Sequence, residues 1–235
     1  MATKNQRKDN MKYKDLDEQG VWQKYGTNQK SSGFTLGPHS SYQFKNTPRR
    51  ILFSLSRYKF AQKIIGKDKT VLEFGCSDGL GAHILAETAS KVLGVDFDKD
   101  VIDWARKNLT TEKLSFKLDN FLGKKYREFD AVVAFDVIEH IFQRNEDPFL
   151  ETICNNLSQY GIAIVGTPNI TSRQYSSRVV DDAHINMYDS ERLESLMNKY
   201  FYNVFIFCQN DEVIHTGFPP MAHYLIAIGC GKKEH

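Results

Sequence analysis

The 235-residue sequence predicts an α/β protein: a doubly wound, mostly parallel seven-stranded sheet with helices on both faces and a C-terminal antiparallel hairpin. Three observations carry that expectation. Apolar strand-like runs alternate with helix-length stretches along most of the chain, which implies parallel pairing through right-handed crossovers. A glycine-spaced turn within "VLEFGCSDGLGAHILAE", Val71 to Glu87, joins the first strand to its helix. The last two apolar runs, "YNVFIFCQ" and "AHYLIAIGC", have no helix between them and so pair as a hairpin at the sheet edge.

Each element has its own signal. "NTPRRILFSLSRYKFAQKIIG" reads as an amphipathic helix, with Thr47 as N-cap, Pro48 at the first helical position and Gly66 as the stop. Its apolar face is Ile51, Leu52, Leu55, Ala61, Ile64 and Ile65. Strands are expected at residues 71–74, 91–96, 114–118, 131–135 and 162–166. Helices are expected at 80–89, at 99–109, from Pro148 after the opening "EDP", and near 190–200.

Residues 1–46 read as an N-terminal tail and lid-like segment, and residues 47–235 as the cofactor-binding domain. Up to about Gly20 the chain is polar and lacks apolar periodicity, so burial cannot offset the entropy of ordering it. From Val21 to Asn46, Trp22, Tyr25, Phe34, Tyr42 and Phe44 alternate with Gly and Ser, as in an irregular segment that docks on a domain.

A formal net charge of +2 and a pI near 8.2 give a weak overall field, so nucleic acid is not expected as a partner. No signal-peptide core or membrane-length apolar run is present, which points to a cytoplasmic protein without a membrane partner, as a monomer or homodimer. Cys76, Cys154, Cys208 and Cys230 are widely spaced and read as reduced thiols rather than a zinc site.

In a doubly wound sheet, ligands sit outside the carboxyl ends of the strands where the strand order reverses, which is where the glycine turn lies. Gly75, Gly79 and Gly81 are spaced G-x-x-x-G-x-G, with Ser77 where a dinucleotide-binding turn needs its second glycine. Asp96, closing the second strand, is placed to accept both hydroxyls of a ribose.

The segments "VLEFGCSDG", "VLGVDFD", "SFKLDNF" and "FDAVVAFDVIEHI" resemble successive motifs of class I S-adenosylmethionine-dependent methyltransferases, over a stretch from about Ile51 to the C-terminus. The resemblance implies S-adenosylmethionine as cofactor and a sheet that ends in a reversed strand. It places Glu73, Gly75, Cys76, Ser77 and Gly79 along the methionine side and Asp96 on the ribose. Phe97 would lie against adenine, Asp119, Asn120 and Phe121 would read its amino edge, and Asp136 joins the same set. Arg50 reads as a solvated helix-face arginine in preference to a contact with the cofactor carboxylate.

Methyl transfer to a hydroxyl needs a base near the methyl group. His140 in "FDVIEHI" and His184 in "DDAHINMYD" are the candidates, with Asn210, Asp211, Glu212, His215 and His223, and Tyr175 and Arg178 across from them, as an acceptor pocket. "DVIEH" with a later His also resembles the E-x-x-E-H pattern of ubiquinone-biosynthesis O-methyltransferases and small-RNA 3′-end methyltransferases, where such groups hold a divalent ion. Because Asp136 replaces the first Glu, no metal is assigned. The expected activity is O-methylation of a small molecule, by analogy with bacterial enzymes acting on surface sugars, nucleotide-linked precursors or secondary metabolites. The alternatives are an RNA methyltransferase with a divalent metal, drawing on the cations Arg49, Arg50, Arg57, Lys59 and Lys63, and a nicotinamide-dependent oxidoreductase.

Overall fold

Five parallel strands form where the alternating pattern put them, in a computed structural model that describes residues 16–26, 33–175 and 182–234. They are β1 (Thr70–Phe74), β2 (Lys91–Asp96), β3 (Leu114–Leu118), β4 (Phe129–Phe135) and β5 (Leu157–Pro168). The sheet continues through β6 (Phe201–Asn210), β7 (Val213–His215) and β8 (Tyr224–Lys232) in the order β3-β2-β1-β4-β5-β8-β6-β7. β8 runs antiparallel to both β5 and β6. The expected hairpin therefore forms, but it is not the edge of the sheet. An eighth strand, β7, lies outside it and pairs back on β6. β7 was hidden in the polar connection because Asp211 adopts a left-handed φ of 49° and turns the chain tightly after Asn210.

The chain divides into two units, residues 1–35 and 36–235. In the first, α1 (Glu18–Gly26) starts at Asp17, whose Oδ1 accepts the Gly20 N–H at 2.7 Å. In the second, α2 (Pro38–Asn46) precedes α3 (Pro48–Ile65). The irregular segment expected over residues 21–46 thus contains helix. α2 has a weak apolar face and no local side-chain cap. Instead Asp78, 38 positions away from Ser40, accepts the Ser40 N–H at 2.7 Å and its hydroxyl at 2.8 Å, a cap supplied by tertiary structure. Thr47 does not cap α3; its hydroxyl lies 3.4 Å from the Gln43 carbonyl.

The remaining helices are α4 (Leu80–Leu85), α5 (Lys99–Leu109), α6 (Glu146–Asn155) and α7 (Ser190–Tyr200). α4 is shorter than expected because the backbone after it is drawn toward β1: Asp68 N–H donates to the Thr88 carbonyl, and Ser90 N–H to Lys69. One core layer joins Leu72, Phe74 and Val132 to Phe149 and Met197, and the opposite one joins Val71 and Val133 to Ala61, Leu85 and Ile102. The period-2 alternation of β1 puts Glu73 on the Val71 face, toward α3. The strand order reverses at β1, between β2 and β4, so the crevice opens at the carboxyl ends of β1 and β4. Among the described residues no helix is long and apolar enough to cross a membrane.

Candidate active site

The turn after β1 is fastened to the second strand. Gly75 and Cys76 both donate their N–H groups to the Val95 carbonyl, at 2.9 and 3.2 Å. Gly75 and Gly79 take φ values of 69° and 82°. A Cβ at Gly75 would lie 2.4 Å from Val137 Cγ2, and one at Gly79 2.6 Å from the Phe116 ring, so both positions are closed to side chains by the protein itself. Ser77 is also left-handed, at 49°. Cys76 is buried, its thiol pushed well up by that burial and then by the Glu73 charge, so only its backbone is suited to meet a ligand.

Asp96 is already engaged with this turn. Its two oxygens accept the N–H groups of Ser77 (2.8 Å) and Asp98 (2.9 Å), which fixes the carboxylate while leaving lone pairs for further donors. Phe97 beside it is 76% exposed, a free aromatic face. Asp119 is anchored by its N–H to the Asp96 carbonyl and accepts from the Tyr126 hydroxyl at 3.2 Å; Asn120 is exposed. The Phe121 side chain points elsewhere, stacking on Phe74 at 4.4 Å within the core, so that position can read a ligand only through its backbone.

Beneath the turn, Glu73 is fully buried. Tyr58 of α3 donates its hydroxyl to Oε1 at 2.6 Å, and Oε2 has no hydrogen-bond partner. Burial, opposed by the Tyr58 bond and reinforced by the charges of Asp96 and Asp78, raises the carboxyl to about 7. Above the turn, the Asp78 cap holds α2 in place, and His39 Nδ1 lies 2.8 Å from Ser77 Oγ.

Two cavities meet here. The smaller, about 190 Å³, is bounded by the turn at Gly75 and Ser77 and by His39 and Tyr58. The larger, about 490 Å³, is lined by Arg50, Phe53, Tyr175, His184, His223 and Tyr224 among others. Arg57 and Asp136 border both. Arg57, one of the cations weighed for RNA binding, is turned inward. Its side chain is 12% exposed, Nη1 pairs with Asp136 at 2.7 Å, Nε donates to Gln209 at 2.9 Å, and the guanidinium lies 3.4 Å from the Tyr224 ring centroid. Burial works against the charge, yet the Asp136 carboxylate and its neighbours hold the Arg57 pKa above its ordinary value. Asp136 itself takes a left-handed φ of 56°.

Past Asp136, His140 and His184 come together, with ring centroids 5.1 Å apart at 69°. His140 Nδ1 is 2.9 Å from the Ala183 carbonyl, which can only accept, so Nδ1 carries a proton and, in the neutral ring, Nε2 holds the lone pair. Glu139 is fully buried; the Thr167 hydroxyl donates to its Oε2 at 3.2 Å, and Oε1 has no partner. Burial first, and then the Asp136 charge, raises its carboxyl well above the usual range. Potential ligand atoms of Glu139, His140 and His184 all lie within 4.8 Å of one another.

The β6–β8 connection divides. His223 lines the larger cavity, but its Nε2 accepts the Asp211 N–H at 2.9 Å, and desolvation lowers its pKa. His215 spends both ring nitrogens locally, on Asn210 Oδ1 (2.8 Å) and the Gly217 N–H (2.9 Å). Asn210 also donates to the Met221 carbonyl. Neither His215, Asn210 nor Glu212 lines the two cavities; Glu212 borders a shallow groove beside α3. Arg178 lies outside the described residues. Arg57, Tyr58, His39 and Asp78 are neighbours of the site that sequence reasoning missed. Arg57 had one available signal: Arg50, Phe53, Ser54 and Arg57 follow i, i+3, i+4, i+7 and form one helical stripe.

Comparison with known proteins agrees with this architecture. A family profile described as a methyltransferase domain matches residues 45–204. A Mycolicibacterium smegmatis protein named "Probable S-adenosylmethionine-dependent methyltransferase" is 31% identical over 111 residues, covering 47% of this chain and 42% of that protein. A ubiquinone biosynthesis O-methyltransferase of Coxiella burnetii is 29% identical over 126 residues, covering 45% of this chain and 52% of that protein. The chain thus spans about half the length of the curated relatives it matches. The fold is shared with a TehB-like methyltransferase structure from Corynebacterium glutamicum, at TM-score 0.61 and 18% identity, over 83% of this chain and 98% of that one. These findings remove the nicotinamide-dependent alternative. The chain belongs to the methyltransferase-domain family and has the fold of class I S-adenosylmethionine-dependent methyltransferases.

Proposed function

We propose that this methyltransferase acts on an oxygen of a small-molecule acceptor held in the larger cavity, with the His140–His184 pair removing the acceptor proton. The observation that carries the reading is the His140 bond to the Ala183 carbonyl, which engages Nδ1 and leaves Nε2 for other partners, on a ring packed against His184; of the two, His184 lines the larger cavity and His140 stands behind it. The O-methyltransferase name of the Coxiella burnetii relative supports oxygen as the acceptor atom.

The residues present fit the cofactor. In this reading the Gly75–Gly79 turn, with Glu73 beneath it and Asp136 at its rim, receives the methionine part. Asp96 accepts the ribose hydroxyls, and Phe97, Asp119, Asn120 and the Phe121 backbone meet adenine. Bound S-adenosylmethionine supplies an already activated methyl group, so the chain's tasks are to orient the acceptor, exclude water and take one proton.

A second reading is favoured by the grouping of Glu139, His140 and His184. One carboxylate and two imidazoles suit a divalent cation such as magnesium, manganese or zinc, and Glu139 Oε1, buried and reached by no protein hydrogen-bond donor, could ligate it. Such an ion would acidify and orient an acceptor hydroxyl. Asp136 is directed to Arg57 in this arrangement and is outside the donor set.

Activity assays separate the two. With the base alone, His140→Ala or His184→Ala lowers turnover by roughly 10² to 10⁴ with cofactor affinity retained, and chelator has no effect. With a metal, EDTA abolishes activity, added cation restores it, and Glu139→Ala is as damaging as His140→Ala. Full turnover by both histidine variants in chelator would exclude both.

A further inference from the structure

We propose that the acceptor carries an oxyanion, a carboxylate or a phosphate, and that Arg50 recognises it. This rests on the larger cavity being the acceptor site. Besides Tyr175 and Tyr224, the charged and titratable side chains lining that cavity among the described residues are Arg50, Arg57, Asp136, His184 and His223. Asp136 is the one acid among them, and its charge is matched by Arg57 at 2.7 Å. His223 is held with Nε2 as an acceptor for the Asp211 N–H. The cation left over is Arg50, which has no carboxylate in ion-pair range among the described residues.

Its position separates it from the cofactor. Arg57 borders both cavities, whereas Arg50, two turns earlier on the same stripe of α3, lines the larger one and does not border the smaller one at the glycine turn. Between them on that stripe is Phe53, and Pro168 adds apolar surface. A ring-shaped body can pack on these faces while its anionic substituent reaches the guanidinium, which matches planar oxyanions through paired donors. Arg50 is exposed, and an acceptor without an anionic group would make no use of its charge.

The test uses protein saturated with S-adenosylhomocysteine, whose own carboxylate then occupies the cofactor site. Benzoate and phenyl phosphate are titrated by ligand-observed NMR against benzamide as the uncharged comparison. The expected result is that at least one anion binds roughly tenfold more tightly than benzamide, the worth of one charge-assisted pair. Arg50→Gln should abolish that preference without changing S-adenosylhomocysteine affinity, and Arg50→Lys should retain part of it. A preference for benzoate alone or phenyl phosphate alone identifies which oxyanion is read. Equal binding of all three probes, no binding of either anion at millimolar concentration, or a preference that survives Arg50→Gln would overturn the proposal. Failure of S-adenosylhomocysteine to bind would instead contradict the assigned cofactor site.

Discussion

Arg57 and Asp136, 79 positions apart, meet at 2.7 Å where the two cavities join. The pair joins the helix before the first strand to the loop after the fourth, and so couples the walls of both cavities. Asp136 has a left-handed backbone, which Asn tolerates better than Ala. Asp136→Asn should cost about 1 to 3 kcal/mol, because it strands a largely buried guanidinium while its own side chain is half-exposed. Asp136→Ala should cost about 1 kcal/mol more. Denaturant unfolding checks the order; an alanine variant as stable as the wild type would remove the pair from any structural role.

Asp96 is expected to serve the turn and the ribose together. Asp96→Ala deletes the acceptor for the Ser77 and Asp98 N–H groups as well as the proposed ribose acceptor. Affinity for S-adenosylhomocysteine should fall by about 1.5 to 3 kcal/mol, measured by calorimetry on folded protein. Unchanged affinity would assign the ribose to another residue.

Glu73 sets a pH dependence of stability. Its carboxyl is raised from an ordinary 4.5 to about 7 in the folded chain, so the folded state binds more protons than the unfolded state between those values. Its contribution is therefore complete below the ordinary value and is lost as pH rises toward 7, by up to roughly 3 kcal/mol. Glu73→Gln should flatten the stability profile across that window and be at least as stable as the wild type at pH 8. A wild-type profile without the fall would mean that Glu73 is ionised at no cost.

Asp78 should hold α2 over the turn. Asp78→Ala removes the acceptor of the Ser40 N–H and hydroxyl and should cost about 1 to 2 kcal/mol. Hydrogen exchange should then accelerate at Ser40 and Ser41 before it changes in β1. Unaltered protection there would show that packing alone seats the helix.

Much of this arrangement was legible in the chain. The β1 turn, Asp96 and the approach of His140 to His184 follow from local signals: strand–turn–helix spacing and acids or histidines at strand ends. What was illegible depends on distant partners. α2 looked irregular because its cap, Asp78, is 38 positions from Ser40. Arg57 read as one of five helix cations because Asp136 and Gln209 are reached only after the sheet forms. That Val137 crowds the point where a Cβ at Gly75 would lie is set by a residue 62 positions away, so that part of the glycine requirement had no local signal. His215 and Asn210 looked like pocket residues until a short β7 turned them toward each other.

The most direct measurement supplies S-adenosylmethionine labelled with ¹³C at the methyl group, together with a cell metabolite extract, and follows the label by NMR and mass spectrometry. The predicted result is a methoxy signal on a small anionic molecule, reduced with Asp96→Ala at sub-saturating cofactor and strongly reduced with His184→Ala. Label on nitrogen or in the RNA fraction, or a methoxy product formed at full rate by the His140→Ala and His184→Ala enzymes in chelator, would contradict it.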